Sequence, residues 1–153
     1  NKSKKYQALF KDLVKILEKD KVNYEDYASK LAEMFIVDFY SLSDKTAKTD
    51  VGGVDIVYPD ILNNFLENAE NTFYKYVESN VYNNRKQSLP TVNTVTVDNI
   101  EKTSFTYNNI IDENAYKVKV SWDYTDEEFA NYQKEANLVF VNKDKKLYLV
   151  ELK

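Results

Sequence analysis

The sequence contains no cysteine and no histidine. Their absence removes disulfide frameworks, thiolate nucleophiles, imidazole bases and the ordinary zinc sites, all of which are built from those side chains. A cysteine-free chain suits a cytoplasm, or a cell surface that does not rely on disulfides, and does not choose between them. Glycine and proline occur only twice each in 153 residues, so long regular elements joined by short connections are expected. No apolar run approaches the roughly 20 residues that a membrane-spanning helix requires. The single Gly-Gly pair, Gly52-Gly53, has no Lys-Ser/Thr after it and no basic cluster near it, which argues against a phosphate loop.

What is present is an aromatic-rich globular composition, with 13 Tyr, 8 Phe, 43% hydrophobic and 30% charged residues. A chain of this length fits one domain, residues 1–153, burying about two-thirds of its unfolded surface. The net charge of −4 argues against nucleic acid as a partner. That charge is uneven: residues 1–21 carry seven Lys against Asp12, Glu18 and Asp20, a net of +4, and the remainder sums to −8. The first residue is Asn1 and not Met, and the lysine-rich start runs straight into a helical pattern. This predicts a membrane anchor or signal removed from in front of Asn1, and hence an extracytoplasmic, cell-surface or lipoprotein-type placement, with a cytoplasmic one as the alternative.

Apolar residues at Tyr6, Leu9, Phe10, Leu13, Val14 and Leu17 predict a first amphipathic helix over 5–20. Asn23 is a good N-cap, and Glu25 and Asp26 come next, where the helix dipole favours acids, so a second helix is expected over 24–40. Its stripe is Tyr24, Tyr27, Ala28, Leu31, Phe35 and Phe39, and Asp38 breaks it. Asp50 to Gly53 reads as a turn requiring positive φ, and Val54, Ile56 and Tyr58 as a short strand or extended lid. Pro59 opens a third helix, expected over 60–80, with Phe65, Ala69, Phe73, Tyr76 and Val77 on its buried side.

From 91 to 153 the period changes to two. Tyr116, Val118, Val120, Trp122 and Tyr124 alternate with polar residues and form the clearest half-buried antiparallel strand. The alternation falters at Asp98 to Lys102, where a β-bulge would curve the sheet. The last hairpin, 134–142 and 147–152, is apolar on both faces. Either a helix wraps its second face or a partner covers it, and we expect the partner. Val139, Val141, Leu147 and Leu149 are assigned to the outer, partner-binding face, and Leu138, Phe140, Tyr148 and Val150 to the core.

The fold class is therefore α+β, three N-terminal helices packed on a curved, mainly four-stranded antiparallel sheet. In element order and length, in the Asp50–Gly53 turn and in the bend near Asp98, the chain resembles the cone-shaped nuclear transport factor two-like superfamily, also called cystatin-like. With its lysine-rich start and no cysteine it looks most like two groups in that superfamily. These are the extracytoplasmic domains of Gram-positive conjugation and type IV secretion assembly proteins, and lipoprotein-type surface proteins. The resemblance implies an assembly or protein–protein interaction role without catalysis and without a cofactor. Enzymes of the superfamily move protons inside the cone, so the alternative is a small-molecule binder or proton-transfer enzyme. Asp38 would be its base, with a raised pKa, and Tyr116 or Tyr124 its oxyanion donor. Asp123, Asp126, Glu127 and Glu128 match no EF-hand spacing and read as a solvated acidic turn, with no metal expected.

Overall fold

The second helix, Tyr24–Tyr40 (α2), is the element around which the others pack. A computed structural model describes residues 2–153. The Asn23 side chain caps α2 by accepting from the Asp26 amide at 3.0 Å, with Glu25 and Asp26 in the first turn. Tyr27, Ala28, Leu31 and Ala32 form its buried stripe, but from Met34 to Tyr40 every residue is buried. A helix buried all round lies at the centre of its domain, so the single-stripe expectation holds only for the first half.

The first helix, Lys4–Leu17 (α1), is capped by Ser3, whose side chain accepts from the Tyr6 amide. It ends three residues before the expected boundary, with Glu18 donating back to the Val14 carbonyl. Tyr6 and Leu13 are buried, whereas Phe10 and Leu17 of the same expected stripe are 51% and 41% exposed. α1 therefore leans on α2 without closing over it.

The third helix (α3) is shorter than its periodicity suggests. A 3-10 turn over Pro59–Ile61 leads into Leu62–Asn71, not a helix reaching residue 80. At Thr72 the backbone leaves helical space (φ −123°, ψ −97°), and the Thr72 hydroxyl donates to the Asn68 carbonyl at 2.7 Å. Side chains that bond their own backbone compete with helix continuation, and Thr after Asn does so here. The break re-phases the residues beyond it: Tyr74 is fully buried, and Tyr76, expected inside, is 77% exposed. The Tyr74 hydroxyl donates to the Phe39 carbonyl at 2.6 Å and accepts from the Gly52 amide at 2.9 Å. One side chain thus ties the segment after α3 to the end of α2 and to the glycine turn.

The sheet is an antiparallel meander of Val92–Tyr107 (β1), Ile110–Tyr124 (β2), Glu135–Lys143 (β3) and Lys146–Leu152 (β4), in that spatial order. Both hairpins use two-residue turns, Asn108-Asn109 and Asp144-Lys145, with all four residues at positive φ as type I′ geometry demands. The β1–β2 register shifts between Val97 and Asn99, where the alternation falters, and again near both ends of β1. Such bulges increase twist and let a 16-residue strand curl around the helices. Tyr116, Val118, Val120, Trp122 and Tyr124 are buried as expected, and Trp122 packs on Tyr40 with ring centroids 4.5 Å apart. Ile56 to Tyr58 runs parallel to β4: the Tyr58 amide donates to the Leu149 carbonyl and the Leu149 amide to the Ile56 carbonyl, both at 2.8 Å. This covers an edge that would otherwise present unpaired backbone groups.

Removing the Tyr74 hydroxyl orphans a buried amide and a buried carbonyl, so Tyr74→Phe is expected to cost about 1–3 kcal/mol in urea unfolding. Tyr76→Phe is expected to leave stability unchanged. Equal effects at the two positions would contradict the break at Thr72.

Candidate functional site

Asp38, the one charged residue among the buried side chains of α2, sits at a junction of four chain segments. Its Oδ2 accepts from Lys2 Nζ at 2.6 Å and from the Gly53 amide at 2.8 Å, and its Oδ1 lies 3.5 Å from Lys45 Nζ. Lys45, only 4% exposed, also donates to the Ser41 carbonyl at 3.0 Å and to Asp44 Oδ1 at 2.5 Å. Gly53 has φ +80°, and a Cβ there would meet the Phe35 ring; a Cβ on Gly52 would lie 2.0 Å from the Asp38 carbonyl oxygen. The two glycines are thus required because the turn is pressed against the end of α2, one of them also because of its backbone angle.

The electrostatics overturn the expectation of a raised pKa at Asp38. Burial pushes the carboxyl up, but the Lys2 hydrogen bond, the Gly53 amide and the Lys45 charge together hold it below its ordinary 3.8. For Lys2, burial pulls down, and its hydrogen bond and Coulomb attraction to Asp38 more than offset this, so its pKa is raised above 10.5. A carboxylate saturated by two ammonium groups and an amide is a poor proton acceptor at neutral pH.

The proposed donors are not near it. Tyr116, paired with Phe140 on the sheet, has Glu25, Tyr24 and Asp112, and not Asp38, as its titratable neighbours. The Tyr124 hydroxyl accepts from Trp122 Nε1 at 3.0 Å and donates to the Gln133 carbonyl at 2.5 Å, so its proton is already committed. Nor does Asp38 line either of the two large clefts. One of these, about 540 Å³, opens between α3 and the end of β4, with Tyr40, Phe65 and Phe73 as its floor and Asn64, Asn68 and Gln133 as polar groups.

The acidic loop is used locally. Asp123 accepts from the Thr94 amide at 2.7 Å and Glu128 from the Ser88 hydroxyl at 2.6 Å, while Glu127–Phe129 forms a 3-10 turn that buries Phe129 against Tyr124 and Tyr132.

The last hairpin requires a second correction. Leu138 and Phe140 face the main core as expected, but so do Leu147 and Leu149, which strand parity places outside. The two-residue turn pairs Val141 with Tyr148 and Phe140 with Leu149. Directly opposed residues share a face, so Tyr148 and Val150 belong with Val139 and Val141. These form a separate outer cluster with Ala115 and Phe105. Val139 and Val141 are buried in it by the chain's own side chains, and Tyr148, Val150 and Phe105 are half-buried. Beyond it lies a shallow hollow of about 70 Å³ edged by Tyr58, Tyr107 and Ile110, and the hairpin tip carries Ile110 and Ile111 exposed.

Sequence reading singles out Asp38 but misses Lys45, which lies in a polar stretch, Ser43-Asp44-Lys45-Thr46, that looks like an exposed loop. The Arg85 side chain donates to the Lys45, Ser43 and Glu78 carbonyls and straps the loop down. Neither contact leaves a local signature.

Asp38→Asn removes the anion from a buried lysine, and is expected to cost about 3–5 kcal/mol at neutral pH. Because the folded pKa of Asp38 is depressed, its stabilisation is present above 3.8 and is lost as pH falls through the folded value. Lys2 has the opposite sign: its contribution is present below 10.5 and is lost as pH rises through its raised folded value. The gap between wild type and Asp38→Asn should therefore close in acid. Carbon-detected titration placing Asp38 above the ordinary carboxylate range would refute the assignment.

No protein-family model, no curated protein and no solved structure matches this chain, so the reading of the site rests on its own chemistry.

Proposed function

We propose that this chain is a non-catalytic protein–protein interaction domain of cone-shaped, nuclear transport factor two-like architecture. Its contact surface is the outer face of the sheet from the β3–β4 hairpin to the tip of the β1–β2 hairpin. The observation that carries the reading is the second apolar cluster. A sheet face that is simply solvated needs no apolar residues, yet this one holds Val139, Val141, Tyr148, Val150 and Phe105 and ends in exposed Ile110, with Ile111 exposed on the opposite face of the same tip. Tyr58 stacks edge-on against both Tyr107 and Tyr148, extending the strip with aromatic groups of the kind enriched at interfaces. The partner is a protein, either a second copy or a component of the same assembly. The order of three helices before a bulged four-strand meander supports the cone.

An extracytoplasmic placement in an assembly such as a conjugation or secretion apparatus belongs to the same proposal, and rests on the family resemblance alone. No helix of the described residues is long and apolar enough to cross a membrane. The second reading is a small-molecule binder, favoured by the cleft of about 540 Å³ under α3. Its proton-transfer version lacks the base assigned to it, since Asp38 is committed to two lysines.

The double substitution Ile110→Asp, Ile111→Asp alters side chains already in water and should leave thermal unfolding unchanged. Sedimentation across a concentration series is expected to show a reversible dimer that the double variant abolishes. A photocrosslinker in place of Ile110 is expected to trap a protein adduct that the same group at Lys86 does not. A wild-type monomer that also gives no protein adduct from position 110 would refute the surface.

A further inference from the structure

A groove of about 620 Å³ lies where α1 rests on α2 without closing over it. Tyr6, Phe10, Leu13 and Leu17, four successive positions of one face of α1, form one wall, and Leu31 and Met34 of α2 lie across from them. Phe10 and Leu17 are the residues that helical spacing places in the core and that stand 51% and 41% exposed. The volume lies within the ligand-site range of about 300–1,000 Å³.

The polar groups of the groove are few and mostly occupied. Gln7 donates to the Lys2 carbonyl at 2.8 Å, the Tyr27 hydroxyl accepts from the Leu147 amide at 3.3 Å, and Lys2 is held by Asp38. The polar atoms left over inside, the Tyr6 hydroxyl, the Tyr27 hydroxyl proton and Gln7 Oε1, are too few to pair the successive backbone amides and carbonyls of a peptide, whose burial without partners is costly. The charged side chains left at the rim are Lys11 and Lys146 against a single acid, Asp55. An apolar trough with few free hydrogen-bonding groups, and with cations at its edge, complements a ligand that is hydrocarbon along its body and anionic at one end.

We propose that this groove binds a free long-chain fatty acid, with the acyl chain between α1 and α2 and the carboxylate at Lys11 and Lys146. The site lies apart from the outer sheet face except at Lys146, whose ammonium is 5.1 Å from the Tyr148 ring centroid. Binding would complete the burial of Phe10 and Leu17 that the fold leaves unfinished, and would stabilise the chain by mass action.

Displacement of dansyl-undecanoic acid from the whole chain by oleate, below the concentration at which oleate forms micelles, tests this. Oleate is expected to displace the probe and to raise the unfolding temperature. Phe10→Glu should weaken oleate by at least about tenfold, since it places a charge against the acyl chain. Lys11→Glu with Lys146→Glu should weaken oleate while leaving its methyl ester unaffected, because only the acid has a charge to lose. Both variants change exposed side chains, and circular dichroism checks that they fold. No displacement by oleate, equal binding by wild type and Phe10→Glu, or equal loss of acid and ester in the lysine variant would each overturn the proposal. So would binding to phosphatidylglycerol vesicles without binding to monomeric oleate, which would make this face a membrane-contact surface.

Discussion

The carboxylate of Asp38 is the contact on which the rest of the structure depends. It sits near the end of a helix buried on all sides, where a lone negative charge would be prohibitively costly. Three segments meet on it: the chain before α1 through Lys2, the loop after α2 through Lys45, and the glycine turn through the Gly53 amide. Next to it, the Phe39–Tyr40 end of α2 receives the Tyr74 hydroxyl, which also holds the Gly52 amide. Residues far apart in sequence thereby converge on one turn of helix, and the irregular stretch from 41 to 58 gains a fixed path.

That path has consequences at a distance. Once the glycine turn is fixed, Ile56 to Tyr58 is delivered to the edge of β4, where it pairs with Leu149 and places Tyr58 against the outer sheet face. The junction that looks like a proton-transfer site in sequence is, in structure, the clamp that positions the apolar strip proposed as the working surface. Buried ion pairs are poor evidence of stability in themselves, but breaking one partner is expensive, which gives such a clamp its specificity.

Legibility in the sequence tracks the range of the interactions. Caps, turns and period-two strands are local, and Asn23, the Asp50 to Gly53 turn, and Tyr116 to Tyr124 can be read directly. The bulge near Asp98 shows itself as faltering alternation. The parity of β4 does not, because both of its faces are apolar and only the two-residue turn at Asp144-Lys145 decides whether Leu147 or Tyr148 faces inward. The end of α3 is obscured because Phe73, Tyr76 and Val77 continue a helical spacing through a break set by the Thr72 backbone. Asp38 is conspicuous as a charge on an apolar stripe, but its partners lie 36 residues before it, 7 after it and 15 after it, beyond any local pattern. The same limit applies to α1, whose regular stripe gives no sign that Phe10 and Leu17 remain uncovered.

The central claim is that the Gly53 turn is locked to α2 through Asp38. Hydrogen exchange measured by NMR tests it most directly. The Gly52 and Gly53 amides should exchange only with global unfolding, at the same free energy as the core amides of α2, and should lose that protection in Asp38→Asn. Exchange of these two amides through a low-energy local opening in the wild-type chain would contradict the clamp.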